Sequence, residues 1–394
     1  MTNPYLKQYL MTAGPTPLPP AVSQVMAEPM LYHRAPAFIE VYARVLARLK
    51  LVFQTANEVQ VFSASGSGAM ESAVANLVRP SEPALVASCG KFGERWAELC
   101  DAYGAQTIHW ETEWGRKVDS GELDRKLGDH DAVEVVFTTL SETSTGVVND
   151  IRELTEVAHR HGALIVVDAV SAMGAVPLPQ DEWGVDVVVS GSQKALMAPP
   201  GLGFASANEA ALERAAAAPG RRFYFDWERT VKGQRKDPPD SPFTPAVGLV
   251  GALDVALGLI ADEGLEAVYE RHRLLGHATR EAARALELDT LGETDENANV
   301  VTAIALPDSI DGTKVPKLMR DRFGITIAGG QGHLKGKIAR IAHCGYFGAF
   351  DIVVTVAGLE MTLRELGHEL ELGAGVAAAQ RVFLEAGAPV SSPG

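Results

Sequence analysis

Ala163-Leu164-Ile165-Val166-Val167-Asp168 is a continuous apolar run that ends on a carboxylate. The next such run, Val185-Asp186-Val187-Val188-Val189, leads into Ser190-Gly191-Ser192-Gln193-Lys194-Ala195-Leu196-Met197-Ala198-Pro199-Pro200-Gly201. Short, nearly unbroken apolar runs are the mark of strands buried on both faces. Working outward, the pattern recurs at Val59–Phe62, Ala84–Ala87, Thr107–Trp110, Val133–Thr138 and Gly203–Ala205. Helical stretches separate the runs: Gly68–Leu77 keeps Ala69, Ala73 and Leu77 in register, and Ile151–His161 keeps Ile151, Leu154 and Ala158. The alternation predicts an α/β fold with a mostly parallel, seven-stranded sheet covered by helices on both faces. Ligands in such folds bind beyond the carboxyl ends of the strands, where Asp168 and the Gly191–Lys194 loop both lie.

Outside this block, Gly14-Pro15-Thr16-Pro17-Leu18-Pro19-Pro20 predicts an extended arm, because successive prolines forbid a helix. A helix is expected over Ala37–Phe53, a loop over Arg229–Pro245, and helices over Pro245–Asp262 and Leu265–Leu286. Strands at Val300–Ala305 and Ile338–Ala342, with helices at Val315–Phe323 and Ile352–Leu366, predict a smaller α+β domain. The expected division is an arm over 1–20, a large domain over 21–262, a smaller domain over 263–386 and a disordered tail over 387–394.

The chain has 394 residues and a net charge of −15, which argues against a nucleic-acid or anionic-membrane partner. An anionic ligand must therefore be held by a local site. Cys89, Cys100 and Cys344 are too few for a disulfide framework and lack metal-site spacing, which fits a reducing cytoplasm. No secretory signal is visible at the start. The longest apolar region, Ala246–Ala261, contains Asp254 and falls short of a membrane span.

Lys194 is flanked by apolar residues, where an unpaired ammonium is expensive. An ordinary loop lysine is the plain alternative. Asp168 alone fits a turn cap, a Mg²⁺ ligand or a ribose contact. Together the two residues fit pyridoxal phosphate: the amine forms a Schiff base with the aldehyde, and the carboxylate keeps the pyridine nitrogen protonated. Ser63-Ala64-Ser65-Gly66-Ser67-Gly68 joins a strand to a helix and suits a phosphate at a helix N-terminus, or an ordinary cap. In Gly90-Lys91-Phe92-Gly93-Glu94-Arg95-Trp96, Phe92 is a candidate to stack on a cofactor ring, with Trp96 as competitor. Arg340, in Lys337-Ile338-Ala339-Arg340-Ile341, suits a substrate carboxylate or, equally, a structural salt bridge.

From about Gly14 through Arg364 the chain resembles the class V aminotransferases, and most closely the alanine/serine–glyoxylate (serine–pyruvate) group. Gly191–Gly201 is similar to that group's cofactor-lysine motif almost letter for letter. Gly14–Pro20, Ser65-Gly66-Ser67-Gly68-Ala69-Met70-Glu71 and Thr143-Ser144-Thr145-Gly146-Val147 also resemble its motifs. The resemblance implies the type I fold of pyridoxal phosphate enzymes, with Lys194 bonded to the cofactor and Asp168 paired with the pyridine nitrogen. Phe92 takes the ring-stacking position, where relatives often have tryptophan. It further implies Thr143 on the phenolic oxygen, Ser65, Gly66, Ser67 and Gln193 on the phosphate, and Arg340 on the substrate carboxylate. Thr244 would reach the phosphate from the partner subunit of a homodimer with its site at the interface. The implied activity is ping-pong amino transfer from alanine, serine or aspartate to a 2-oxo acid such as glyoxylate or pyruvate. Lys335 and Lys337 would suit an acidic donor, although solvated lysines are the simpler reading. The alternative is a lyase or desulfurase-like enzyme of the same fold; the desulfurase is disfavoured because Ala328–Lys337 carries no cysteine, whereas lyase, racemase and decarboxylase outcomes share the first step with amino transfer and stay open. A non-catalytic complex subunit is disfavoured by the intact Lys194, Asp168 and Arg340 set.

Overall fold

The computed structural model describes residues 6–217, 222–292 and 298–387. The tail expected to be disordered lies, from residue 388 on, outside the described residues.

Seven strands form the main sheet: β1 (Val59–Phe62), β2 (Pro83–Ser88), β3 (Gln106–Glu111), β4 (Val135–Thr139), β5 (Leu164–Asp168), β6 (Val187–Gly191) and β7 (Gly203–Ala207). Their order is β1-β7-β6-β5-β4-β2-β3. β7 alone runs antiparallel to its neighbours, whereas β2, β3, β4, β5 and β6 pair in parallel. The register places Thr139 beside Asp168 and Asp168 beside Val189, so the strand ends form a common rim.

The period-2 pleat explains why these strands lack polar alternation. Val136, Ile165, Val167 and Val188 pack into one apolar cluster, with residues of α1 (Pro36–Phe53) and α4 (Ile151–Arg160). Val135, Phe137, Val166, Val187 and Val189 pack into another, with α2 (Gly66–Leu77) and α3 (Lys91–Ala102). Each fully buried aliphatic side chain contributes about 1.5–3 kcal/mol, so both faces lock the sheet.

The segment Arg229–Pro245 is not all loop. Trp227–Gln234 is a helix in which Asp226 accepts a hydrogen bond from the Arg229 amide, while Trp227, Thr230 and Val231 are buried. The polar and proline-rich composition masked a cap followed by a short buried face.

α5 (Val247–Glu263) packs with the first cluster. After Gly264 comes α6 (Leu265–Ala285), whose Leu275, Ala278 and Ala282 join a third cluster. That cluster also holds residues of α7 (Lys314–Phe323) and α8 (Ala349–Glu365). Its small sheet consists of β8 (Val301–Ala305), β9 (Ala328–Gly329) and β10 (Ile338–Ala342), with β10 central and antiparallel to both. The N-terminal arm is anchored here: Tyr9–Leu10 pairs in parallel with Ile325–Thr326, and Met11 is buried in the third cluster. No helix among the described residues is long and apolar enough to cross a membrane.

Asp254 marks the polar point of α5. Its carboxylate accepts from Arg44 Nη2 at 2.7 Å and Arg48 Nη1 at 2.5 Å, which ties α5 to α1. Asp254→Ala is expected to lower stability by about 1–3 kcal/mol, since charged hydrogen bonds are lost while the half-exposed arginines turn to water. Urea unfolding should show a lower midpoint at unchanged slope; an unchanged midpoint would mean that the apolar packing alone holds these helices together.

Candidate functional site

One cavity at the rim of the main sheet is lined by Ser65, Gly66, Ser67, Met70, Phe92, Arg95, Ser141, Thr143, Asp168, Val170, Ser171, Gln193 and Lys194. Eight of the ten residues singled out in the sequence therefore meet at one place, and the other two, Arg340 and Thr244, do not line it.

Asp168 closes β5 and is buried. Its Oδ1 accepts the Val170 amide at 2.7 Å. Loss of water pushes its pKa up to about 6, against the opposing pull of that amide and of Arg95 and Lys194.

Lys194 follows β6 in a loop stiffened by Ser192, whose Oγ donates to the Pro199 carbonyl at 2.6 Å and accepts from the Leu202 amide at 3.2 Å. Burial moves the ammonium below its ordinary pKa, while Asp168 and Cys344 pull it back. The N-terminal arm passes directly over this side chain. Lys194 Nζ donates to the Ala13 carbonyl, and Thr16 Oγ1 donates to the Lys194 carbonyl at 2.9 Å. Gly14 sits at φ +119°, and a Cβ there would lie 2.3 Å from Lys194 Nζ, so only glycine fits.

The Ser65–Ser67 turn opens α2. Ser65 stands at the N-cap with no side-chain capping bond, so it does not claim the first-turn amides. A Cβ on Gly66 would meet Val170 at 2.7 Å. Gln193 Oε1 and Ser141 Oγ are buried without a hydrogen-bond partner. The first-turn amides that Ser65 leaves uncapped suit a phosphate, and the Ser141 hydroxyl is a donor without a partner at the same cavity. With a buried carboxylate and an amine at the same cavity, the residues present fit pyridoxal phosphate.

Phe92 is half-buried on the cavity wall, in the first turn of α3. Trp96 instead lies wholly in the core, donating to the Thr138 carbonyl at 3.1 Å and packing on Phe137 at 4.9 Å. The ring on the cavity is therefore the phenyl.

Arg340 is buried in β10. Its Nε donates to the Gly329 carbonyl at 2.8 Å and its Nη1 to the Thr143 carbonyl at 2.7 Å. The structural salt bridge that was its alternative is absent: among the described residues no carboxylate pairs with it. Thr244 is exposed. Its neighbour Phe243 stacks on Tyr224 at 5.1 Å. Lys335 and Lys337 are also exposed, and neither lines the cavity. Cys344 is buried and free, with a thiol pKa raised to about 11 by desolvation.

Glu142 was missed by the sequence reading. It is fully buried and accepts the amides of Phe92 at 3.0 Å and Gly93 at 2.9 Å, together with the Ser144 amide and hydroxyl. It thus caps α3 from a distant loop and fixes the Phe92 turn against Thr143. The signal was an acidic residue among small hydroxyl residues beside a buried strand, which resembles a solvated turn. Arg95, also missed, lay inside a stretch singled out only for its aromatics.

A family model described as aminotransferase class-V matches residues 8–342. The chain is 43% identical over 381 residues to a Synechococcus protein named the small subunit of a soluble hydrogenase, covering 96% of this chain and 98% of that one. It is 34% identical over 392 residues to the serine–glyoxylate aminotransferase of Methylorubrum extorquens, covering 96% of each. Among solved structures, the ureidoglycine–glyoxylate aminotransferase of Bacillus subtilis matches with a TM-score of 0.91 at 29% identity, over 98% of this chain and 99% of that one.

The raised Asp168 pKa has a stability consequence. Folding favours its protonated form, so that contribution is complete below about pH 4 and is lost as pH rises through about 6. In the cofactor-free protein, Asp168→Asn should match the native stability near pH 4 and exceed it by up to about 3 kcal/mol above pH 7. Denaturant unfolding at the two pH values checks this; equal stability at both would show that the carboxylate is well solvated.

Proposed function

The chain belongs to the class-V aminotransferase family, and on that premise we propose that it moves an amino group from alanine or serine to a 2-oxo acid such as glyoxylate or pyruvate. The observation that carries this reading is the convergence of a partly desolvated amine and a buried carboxylate on one cavity, with the Arg340 fork tethered to the carbonyl of Thr143 in the cavity wall. Pyridoxal phosphate is the implied cofactor; it supplies an aldehyde that takes up the amine and a ring that drains charge from the substrate Cα. Ser65, Gly66, Ser67 and Gln193 would hold its phosphate, Phe92 its ring face and Thr143 its phenolic oxygen.

The chain's own groups divide the remaining work. The Asp168 carboxylate would hold a proton on the ring nitrogen, an attraction strengthened by the exclusion of water. Lys194 Nζ removes the proton from Cα of the donor and later returns one to Cα of the acceptor. Only a neutral amine can take that proton, and burial favours the neutral form. Arg340 is pinned through Nε and Nη1, which leaves Nη2 for the substrate carboxylate and fixes how Cα is presented to Lys194. Donor and acceptor use the same groups in turn, so ping-pong kinetics follow.

Thr244 would reach the phosphate of a second copy. Its exposure, together with the large exposed apolar residues Met30, Tyr32 and Phe223, supports a homodimer whose sites lie at the interface. We take residues 1–20, 21–262 and 263–386 as arm, cofactor domain and smaller domain. Three free, buried cysteines suit a cytoplasmic enzyme. Exposed Lys335 and Lys337 give no reason to prefer aspartate over the neutral donors. Desulfurase chemistry has no thiol available, with Cys344 buried. The name of the Synechococcus relative does not displace the transaminase reading, which is supported by the presence of Lys194 and Asp168 at one cavity and by the family match.

Three measurements test the proposal. Keto-acid formation from a donor panel should be greatest with alanine or serine, and no product from any amino acid would refute amino transfer. Lys194→Ala should remove both turnover and the visible absorbance of the reconstituted protein; a retained band would deny Lys194 its role. Arg340→Lys should raise the substrate KM about 10- to 100-fold with cofactor retained, since the planar fork is lost. An unchanged KM would make Arg340 purely structural.

A further inference from the structure

The residues assigned to the phosphate share one deficiency: Ser65, Gly66, Ser67, Gln193 and Thr244 are all uncharged. A phosphate monoester carries about −1.5 to −2 at neutral pH, and this chain already has a net charge of −15. An uncharged cradle leaves much of that charge to the dipole of α2, which is equivalent to about half a charge.

Two cations line the cavity, Lys194 and Arg95. Lys194 is committed to the aldehyde end. Arg95 is not committed elsewhere. Its Nη1 donates to Ser67 Oγ at 3.1 Å, so it already reaches the phosphate turn. Its guanidinium lies 5.3 Å from the Phe92 ring centroid, which holds the side chain along the cavity wall. No carboxylate among the described residues forms a salt bridge with it. The two acids nearest it on its own helix are engaged otherwise, since Glu94 and Glu98 both pair with Lys91, and Asp101 lies at the far end of the helix. Nor does Arg95 serve the helix that bears it, because it sits in the N-terminal half of α3, where the dipole disfavours a cation.

We infer that Arg95 is a cofactor-binding residue, the cation that neutralises the phosphate of pyridoxal phosphate. Its guanidinium bridges the Ser65–Ser67 turn and the ring-stacking Phe92. Arginine suits the position because its planar fork can bond Ser67 and a phosphate oxygen together. This inference rests on the reading of the cavity as a pyridoxal phosphate site.

The test compares the native protein with Arg95→Gln and Arg95→Lys, using two probes that differ only in the phosphate. Cofactor-free protein is titrated with pyridoxal phosphate and with pyridoxal, and the phosphorus resonance of the bound phosphate is followed from about pH 5 to pH 8, spanning its second ionisation near 6. Arg95→Gln should bind pyridoxal phosphate about 10- to 100-fold more weakly than native protein and bind pyridoxal equally well. Its phosphorus resonance should titrate with pH where the native one stays flat. Arg95→Lys, which keeps the charge, should recover most of the affinity. Unchanged pyridoxal phosphate affinity in Arg95→Gln would overturn the inference. An equal loss for both probes would also overturn it, because the residue would then act through Phe92 or Asp168. Failure of the native protein to bind pyridoxal phosphate would refute the site reading itself, and the native titration alone reveals that outcome.

Discussion

Everything in this molecule is arranged so that an amine and a carboxylate can be kept at the carboxyl ends of adjacent strands with little water around them. Isolated charges in such a place are costly, and each group would drift toward its neutral form. That is the direction in which burial moves both Asp168 and Lys194. The parallel strands make the burial possible, since helices on both faces leave only the strand ends open. The arm completes it: it is anchored in the cluster around α6 and α8, then crosses over Lys194 with a glycine where no side chain would fit. The arm segment Ala13–Thr16 is thereby tied to Lys194, and Arg340 is tied to Thr143 of the cavity wall.

The strands and their order of appearance were legible because burial on two faces leaves an unmistakable composition. Val166 and Val167 face opposite clusters, and both are fully buried. Lys194 and Asp168 stood out for the converse reason, as charges at the ends of such runs. Arg340 was legible as a charge on an apolar strand, but its use was not. The carbonyls that tether it come from Gly329 on the neighbouring strand β9 and from Thr143 in a turn of the larger domain, and only the folded chain brings them together.

The misses share a physical cause. Glu142 acts at a distance in sequence, caps a helix it does not belong to, and lies in a stretch of hydroxyl residues that looks solvated. Trp227–Gln234 is a helix held by one cap and one short buried face, too little periodicity to outweigh the prolines that follow. The boundaries of β4 and β6 moved two residues toward the carboxyl end at their starts because Val133 and Val185 are buried ahead of the ladders rather than within them. Composition reports burial, whereas hydrogen-bond partners depend on three-dimensional proximity.

The central claim is that one ε-amino nitrogen, that of Lys194, bonds covalently to the cofactor aldehyde. Borohydride reduction of freshly purified protein, followed by digestion and mass analysis, tests it most directly. The account predicts a single modified peptide, with the vitamin B6 adduct on Lys194. A label on another lysine, or no adduct at all, would contradict it.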